Sequence, residues 1–423
     1  WYLGSYVQDA WRISNRVTLN AGVRWEPYFG QYVENDAVVL WRKENFDQGI
    51  RSKVFLNAPP GLIYPGDAKF PEGKTGLNTQ WGNIAPRLGV AWDVTGDGRL
   101  AIRSSYSMGY DFMAGEYHNI NAGAPPFGNR SLINDPPGRM DDPWGHLGGD
   151  PHPIVAGPNV EYIPYGAFGS MDPDINSPRA QQWNVMVEQQ LGASWGVSAS
   201  YLGSYSDRLW AQSAINPGVF LGLGPCTLNT DTGLRTFPVC STTANLNQRR
   251  VLSLENPIKS AQIGALDLNT DIGWQKYRGL KLAARRRSAT GVSLNASYTL
   301  SKCEGTATAT TFNQTSAGYS IPDDPDFDAG YCDQDRKHLG TLNAGYQTPE
   351  VGDGVVRALA SNWRLSGILS ARSGSRINIT SGVDRALIGS HSSVQRPDQV
   401  SDDIYGPGKD VSDLKPGQQI ANY

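Results

Sequence analysis

No stretch of about 18 apolar residues occurs in this sequence, so no ordinary helix in it is suited to cross a bilayer. Positive charge is not in excess either: 37 Lys and Arg stand against 40 Asp and Glu, a formal net charge of −3. The electrostatic footprint of a nucleic-acid binder is therefore missing, and nucleic acid is not an expected partner. Catalytic motifs are lacking as well. His118, His146, His152, His338 and His391 share no metal-ligand spacing, and there is no nucleophile elbow, phosphate-binding glycine loop or zinc motif. No enzyme activity and no cofactor are expected. The chain starts at Trp1 inside a strand-like pattern, without an initiator Met or a signal peptide, which suggests a fragment whose targeting segment lies elsewhere.

What is present favours β-structure: 48 Gly, 19 Tyr and 12 Trp in 423 residues, a mixture of turn formers and strand-favouring aromatics. The want of a long apolar run does not exclude a membrane. Strands of a transmembrane barrel need only about ten residues with alternate positions apolar, so mean hydropathy stays low, as the value of −0.42 does here.

Period-two alternation recurs along the chain. Its clearest example is Tyr277 to Cys303, in which two alternating stretches flank a polar turn at Ser288-Ala289-Thr290. After that turn Val292, Leu294, Ala296, Tyr298 and Leu300 fall on one face and Ser293, Asn295, Ser297, Thr299 and Ser301 on the other. The same pattern marks Val17 to Trp25 after a turn at Ser14-Asn15-Arg16, and Leu88 to Val94 before the Asp97-Gly98 hairpin signal. It marks Leu100 to Met108, two stretches joined across Ala193-Ser194, the strand from His338, and the strand from Trp363. A connection near Pro349 to Ser361 separates these last two.

The connections alternate in length. Long polar segments are expected at 30–83, 114–178, 207–276 and 304–336, and short turns between them. Outer-membrane barrels have short periplasmic turns and long extracellular loops, whereas a soluble sandwich, the competing fold, does not require that asymmetry. The fold expected is all-β: about ten strands of a larger antiparallel up-and-down transmembrane barrel across residues 1–376, with 377–423 a loop segment leading to strands not present. Trp11, Trp25, Tyr298 and Trp363 sit toward strand ends, where interfacial girdles lie. One of Arg285, Arg286 and Arg287 has to share the face of Leu282 and Ala284; Arg286, beside the turn, is expected to snorkel to the interface.

Cys226, Cys240, Cys303 and Cys332 lie in or beside two of the long loops. Two local disulfides are expected, each stabilising its loop by about 3 kcal/mol and implying an oxidising compartment, although four Cys permit three pairings. Asp324, Asp326, Asp328 and Asp335 have the spacing of positions one, three, five and twelve of a calcium loop. Ala329 stands where that motif needs Gly, so a solvated acidic loop is the preferred reading. Aromatics in Gly61 to Gly82 and Pro125 to Phe168 would suit a carbohydrate or a peptide, because binding residues concentrate on loops held by a rigid scaffold.

Taken in order, these stretches resemble the C-terminal barrel of TonB-dependent outer-membrane receptors, specifically the Oar-like group. The resemblance is carried by YVQDAWRISNRVTLNAGVRWEP, by APRLGVAWDVTGDGRLAIRSSYSMGYD, by SPRAQQWNVMVEQQLG with SYLGS, by YRGLKLAARRRSATGVSLNASYTLSK, and by DRKHLGTLNAGYQTP with SARSG. Their shared order spans about 370 residues, although no single motif is specific. The resemblance implies a cell outer membrane of Gram-negative type and a barrel of 22 strands, of which this chain holds part. It implies a plug domain and an energy-transducing periplasmic partner, both outside this sequence, and an extracellular nutrient as ligand. It places His338 at a strand start, as interfacial or lumen-edge structure. A passive porin or an adhesion barrel is the alternative.

Overall fold

The computed structural model describes residues 2–33, 36–71, 75–112, 126–128, 141–142, 144–149, 157–287, 291–306, 318–322, 324–361, 363–389 and 395–397. Ten strands follow one another: β1 (Ser5–Arg12), β2 (Val17–Trp25), β3 (Ile84–Asp93), β4 (Leu100–Tyr110), β5 (Arg179–Leu191), β6 (Trp195–Ala214), β7 (Ile263–Arg286), β8 (Gly291–Gly305), β9 (His338–Gln347) and β10 (Arg364–Arg372). Each pairs with the next, antiparallel throughout, and three short strands from the loops join the same sheet to make 13 among the described residues. The path ends at β1 and β10, so the sheet is an open wall, a part of a barrel rather than a closed one.

The tight turns follow local chemistry. At the β1–β2 turn the Ser14 hydroxyl accepts from the amides of Arg16 and Val17. At the β3–β4 turn the Asp93 carboxylate accepts from the amides of Gly96 and Gly98, both at positive φ, where a side chain would strain the backbone. The expected turn at Ser288-Ala289-Thr290 lies outside the described residues. Between β9 and β10 the connection is longer than the other four at this end and carries a helical turn, Gly354–Ala360.

Register keeps the two faces separate across the whole wall, because directly paired residues of an antiparallel sheet point to the same side. One face-row runs Ala21, Leu88, Tyr106, Trp183, Gly203 and Arg278. A lower row runs Ile102, Val187, Ala199, Leu282, Tyr298 and Gly340. From β2 to β10 the charges on this face keep to its rims, Arg286 toward the short turns and Arg179, Asp207, Lys276, Arg278, Lys302 and Glu304 toward the long loops, while Asp9 stands mid-strand on the edge strand β1, between Val7 and Trp11. Between these rims lies an uncharged belt with Leu88, Val90, Val185, Leu280, Leu282 and Leu300 each more than two-fifths exposed. An exposed apolar belt of this extent is incompatible with water on that side.

The opposite face is polar. Along the ten strands it carries Arg12, Arg24, Arg87, Arg103, Lys281, Arg285, Arg364 and Arg372, against Asp93 and Glu188. Arg286 is thus the arginine that shares the belt face, opposite Leu294 and Trp195, its guanidinium 5.7 Å from the Trp195 ring centroid.

Three sequence expectations need correcting. The loop expected at 207–276 is strand at both ends: β6 continues to Ala214 and β7 begins at Ile263, pairing from Asp267 with Ala214 onward. The loop expected at 304–336 likewise gives up Glu304 and Gly305 to β8, paired with Gly330–Tyr331. Tyr298 lies at the middle of β8, opposite Leu282, rather than at a strand end; its hydroxyl reaches back to His338 Nδ1 at 2.7 Å.

Candidate ligand-facing cap and lumen wall

The long connections fold against each other into a cap over one rim of the wall. In the first, Leu40–Trp41 pairs with Leu62–Ile63, and the helix Lys43–Gln48 turns Phe46 inward against the Trp41 ring at 5.4 Å. Gly61 makes this approach possible: its φ is +97°, and an added Cβ would lie 2.3 Å from the Trp41 ring. Tyr64 joins the same core and shares a hydroxyl hydrogen bond of 3.0 Å with Tyr162 from the second connection. Phe168 of Gly166–Met171, a strand parallel to β7, completes it with Leu252, Ile263 and Leu266. A second cluster packs Tyr28, Ile63, Met171 and Ile175 around Trp210, whose indole donates to the Asn176 carbonyl at 2.6 Å.

Polar side chains stitch the cap where backbone would otherwise be left unpaired. Arg249 is fully buried and donates to Asn245 Oδ1 and to the carbonyls of Val219, Thr242 and Leu387, joining the third connection to the segment after β10. Gln80 donates to the Ile175 carbonyl and accepts from the Ser177 amide. Cys226–Cys240 closes the hairpin formed by Cys226–Thr230 and Gly233–Phe237, and Cys303–Cys332 ties the end of β8 to the fourth connection.

Three of the four aspartates with calcium-loop spacing are spent on protein donors. Asp328 accepts from the Ser320 amide and hydroxyl and from Arg396, Asp335 from the Cys303 amide and from Arg376, and Asp326 from the Trp274 indole. Asp328 and Asp335 are buried while Asp324 is exposed, and among the described residues no group of three or more His, Cys, Asp or Glu is arranged to hold a metal ion. The expectation of a solvated acidic loop is therefore corrected for those two, because each of their carboxylates replaces water with backbone amides and a guanidinium. His118, His152 and His391 lie outside the described residues.

Many of the loop aromatics that suggested ligand stacking belong to the cap core instead. Tyr64, Tyr162 and Phe168 are 0%, 6% and 1% exposed. Aromatic surface remains at Trp81, 58% exposed and stacked on Trp25 at 6.1 Å, and at Phe220 and Phe327. Sequence alternation alone did not separate core from surface aromatics, since a loop has no period. The extension of β7 was legible: Leu266, Leu268, Thr270, Ile272 and Trp274 alternate with Asp267, Asn269, Asp271 and Gly273.

The geometry available for function is thus a cap whose exposed aromatics stand above a wall with a cationic inner face. On that inner face Arg103 pairs with Glu188, and Ser297 hydrogen-bonds Thr341 at 2.7 Å.

A family model described as outer membrane beta barrel domain matches residues 1–421. Among solved structures, the chain is similar to the siderophore receptor PiuA from Acinetobacter baumannii, with 11% identity, 87% of this chain and 35% of that one covered, and a TM-score of 0.37. It is similar to the outer membrane transporter YddB from Escherichia coli, with 12% identity, 87% and 37% covered, and a TM-score of 0.36. The alcaligin outer membrane receptor FauA from Bordetella pertussis matches at 11% identity over 88% and 37% of the two chains, with a TM-score of 0.34. The chain spans about a third of the length of these structures. No curated protein matches the sequence.

Proposed function

This chain belongs to the outer membrane beta barrel domain family, and from that membership we propose that it is the barrel part of an energy-coupled uptake receptor. The observation that carries the reading is the division of the wall into an apolar belt and a polar inner face with eight cations against two carboxylates. The belt meets the lipid of the outer membrane, the short turns point to the periplasm and the cap faces outward. Residues 1–376 form the barrel segment, and 377–423 lead to further strands of a longer protein that close the sheet. Closure is required because an open sheet edge cannot face lipid.

In this mechanism the cap captures a polar nutrient, a carbohydrate or a peptide, on exposed aromatics such as Trp81 and Phe220. The inner face receives it after a plug domain, supplied by the rest of the protein, is displaced by an energy-transducing periplasmic partner. The cationic inner face favours cargo bearing negative charge, or an acidic plug surface.

The test is growth of a receptor-deletion strain on single nutrients, with the full-length gene restored and the energy-transducing partner present or absent. Receptor-dependent growth that vanishes without the partner is expected. Growth that persists without it identifies a passive porin, and a full-length reading frame without a plug domain overturns energy coupling.

A further inference from the structure

Arg278 of β7 and Lys302 of β8 are cross-strand partners on the belt face, at its cap end. Toward the short turns the next rows are Leu280 with Leu300, Leu282 with Tyr298, and Ala284 with Ala296. Two cavities open along this seam. One of about 470 Å³ has Arg278, Lys302, Lys337 and Arg376 on its lining, with Leu280 and Leu300. The other, about 560 Å³, continues over Leu282 and Tyr298 to Ala199, Ala284 and Ala296, whose small side chains leave the wall concave. The two together follow β7 from Arg278 to Ala284, six residue steps or about 20 Å at a rise of about 3.4 Å per residue. That is most of an apolar band about 25 Å tall.

Charge is in excess at the upper end. Lys302 pairs with Glu304 and Arg376 with the buried Asp335, while Arg278 and Lys337 have no ion pair among the described residues. The cations are also held in place. The Tyr331 ring lies 3.8 Å from the Arg376 guanidinium and 5.4 Å from the Lys302 ammonium, and the neighbouring Cys332 is bonded to Cys303 of β8. One cation at this depth needs only to snorkel. Four around a single cleft with an apolar floor are matched to an anion that brings hydrocarbon with it.

We infer that the β7–β8 seam binds a phosphorylated, acylated lipid of the outer leaflet. Its phosphate sits between Arg278 and Lys302, with Arg376 and Lys337 at the mouth, and an acyl chain lies along the rows down to Ala284 and Ala296. Charge-assisted hydrogen bonds from guanidinium and ammonium groups suit phosphate oxygens. The inference rests on the lipid-facing assignment of the belt.

The experiment uses the full-length protein, purified in detergent and examined by native mass spectrometry with diphosphorylated lipid A, with the same lipid stripped of phosphate, and with inorganic phosphate as competitor. Wild-type protein is expected to bind the phosphorylated lipid at least tenfold tighter than the stripped one. Arg278→Gln with Lys302→Gln should erase that difference, Ala296→Trp should weaken both lipids by filling the groove, and Lys281→Gln on the opposite face should change neither. Equal binding of the two lipids, or an unchanged preference in the double variant, overturns the proposal. Displacement by millimolar inorganic phosphate overturns it too, in favour of a free-anion site. Heat-modifiable mobility certifies folding of each variant; where the double variant lacks it, Ala296→Trp decides. Release of the protein from cells without detergent would instead refute the membrane placement itself.

Discussion

The wall and the cap are made from one chain for two solvents. All eight residues of β1 and all nine of β10 are exposed, and the belt strands between them leave their largest apolar side chains uncovered. In the cap Val38, Leu40, Phe46, Leu62, Tyr64 and Ile263 are at most 3% exposed. The wall satisfies its backbone through the antiparallel ladder and gives its apolar face to lipid, as a spanning sheet has to. The cap is held as a soluble domain is, by apolar burial away from water together with buried polar ties. The rules of substitution therefore invert between them: an exposed leucine is required in the belt, while a buried aromatic is required in the cap.

The largest effect expected breaks the wall side of this contrast. Leu282 lies mid-belt between Ala199 and Tyr298, and Leu282→Arg places a cation there at a cost of about 2 to 4 kcal/mol. Leu294→Arg, on the same face but opposite Arg286 near the short turn, falls in the range of about 0 to 1 kcal/mol. Ser297→Arg points to the polar face and should be tolerated. The fraction of heat-modifiable protein recovered in outer-membrane fractions should follow Leu282→Arg below Leu294→Arg, with Ser297→Arg highest. Equal recovery of all three would remove the lipid face.

On the cap side, Phe46→Ala empties a site that is 1% exposed and should cost about 3 to 5 kcal/mol, confined to the cap. Limited proteolysis of intact cells should cut between residues 42 and 71 at least tenfold faster, with barrel mobility on gels unchanged. Loss of the barrel as well would mean that the two regions fold as one. Replacing Cys303 and Cys332 by Ser removes about 3 to 4 kcal/mol of loop constraint in the chain-entropy model, and the same assay should report faster cleavage near residue 332.

This division also explains what the sequence disclosed. The strands were legible because the belt imposes a strict period of two, and the face of Val292 to Leu300 could be read before any neighbour was known. The cap was not, because Tyr64 and Tyr162 meet across 98 residues, and nothing local to either says that it is buried. Asp328 and Asp335 were visible as an acidic spacing, but their partners Arg396 and Arg376 lie 68 and 41 residues away. The charged seam on the belt was concealed for a similar reason: Arg278 and Lys302 are ordinary strand-end cations until register sets them side by side.

The smallest effect expected is alkaline, and it acts on the cap alone. Burial is the main cause that raises the Tyr64 hydroxyl well above its ordinary value, and burial likewise raises Tyr162. In the unfolded cap both titrate near the ordinary value of about 10. A group whose pKa is higher when folded contributes stability that is complete below the unfolded value and is lost as pH rises through the folded one. The cap should therefore be unaffected up to about pH 10 and loosen progressively above it. Proteolysis after transfer between pH 8 and pH 11 reads this, with barrel mobility as the internal control. Tyr64→Phe with Tyr162→Phe should cost about 0.5 to 1.5 kcal/mol at neutral pH through the lost hydroxyl pair and should flatten the alkaline slope. A slope that survives in the double variant would assign the alkaline response to other groups in the cap and leave this pair a purely structural contact.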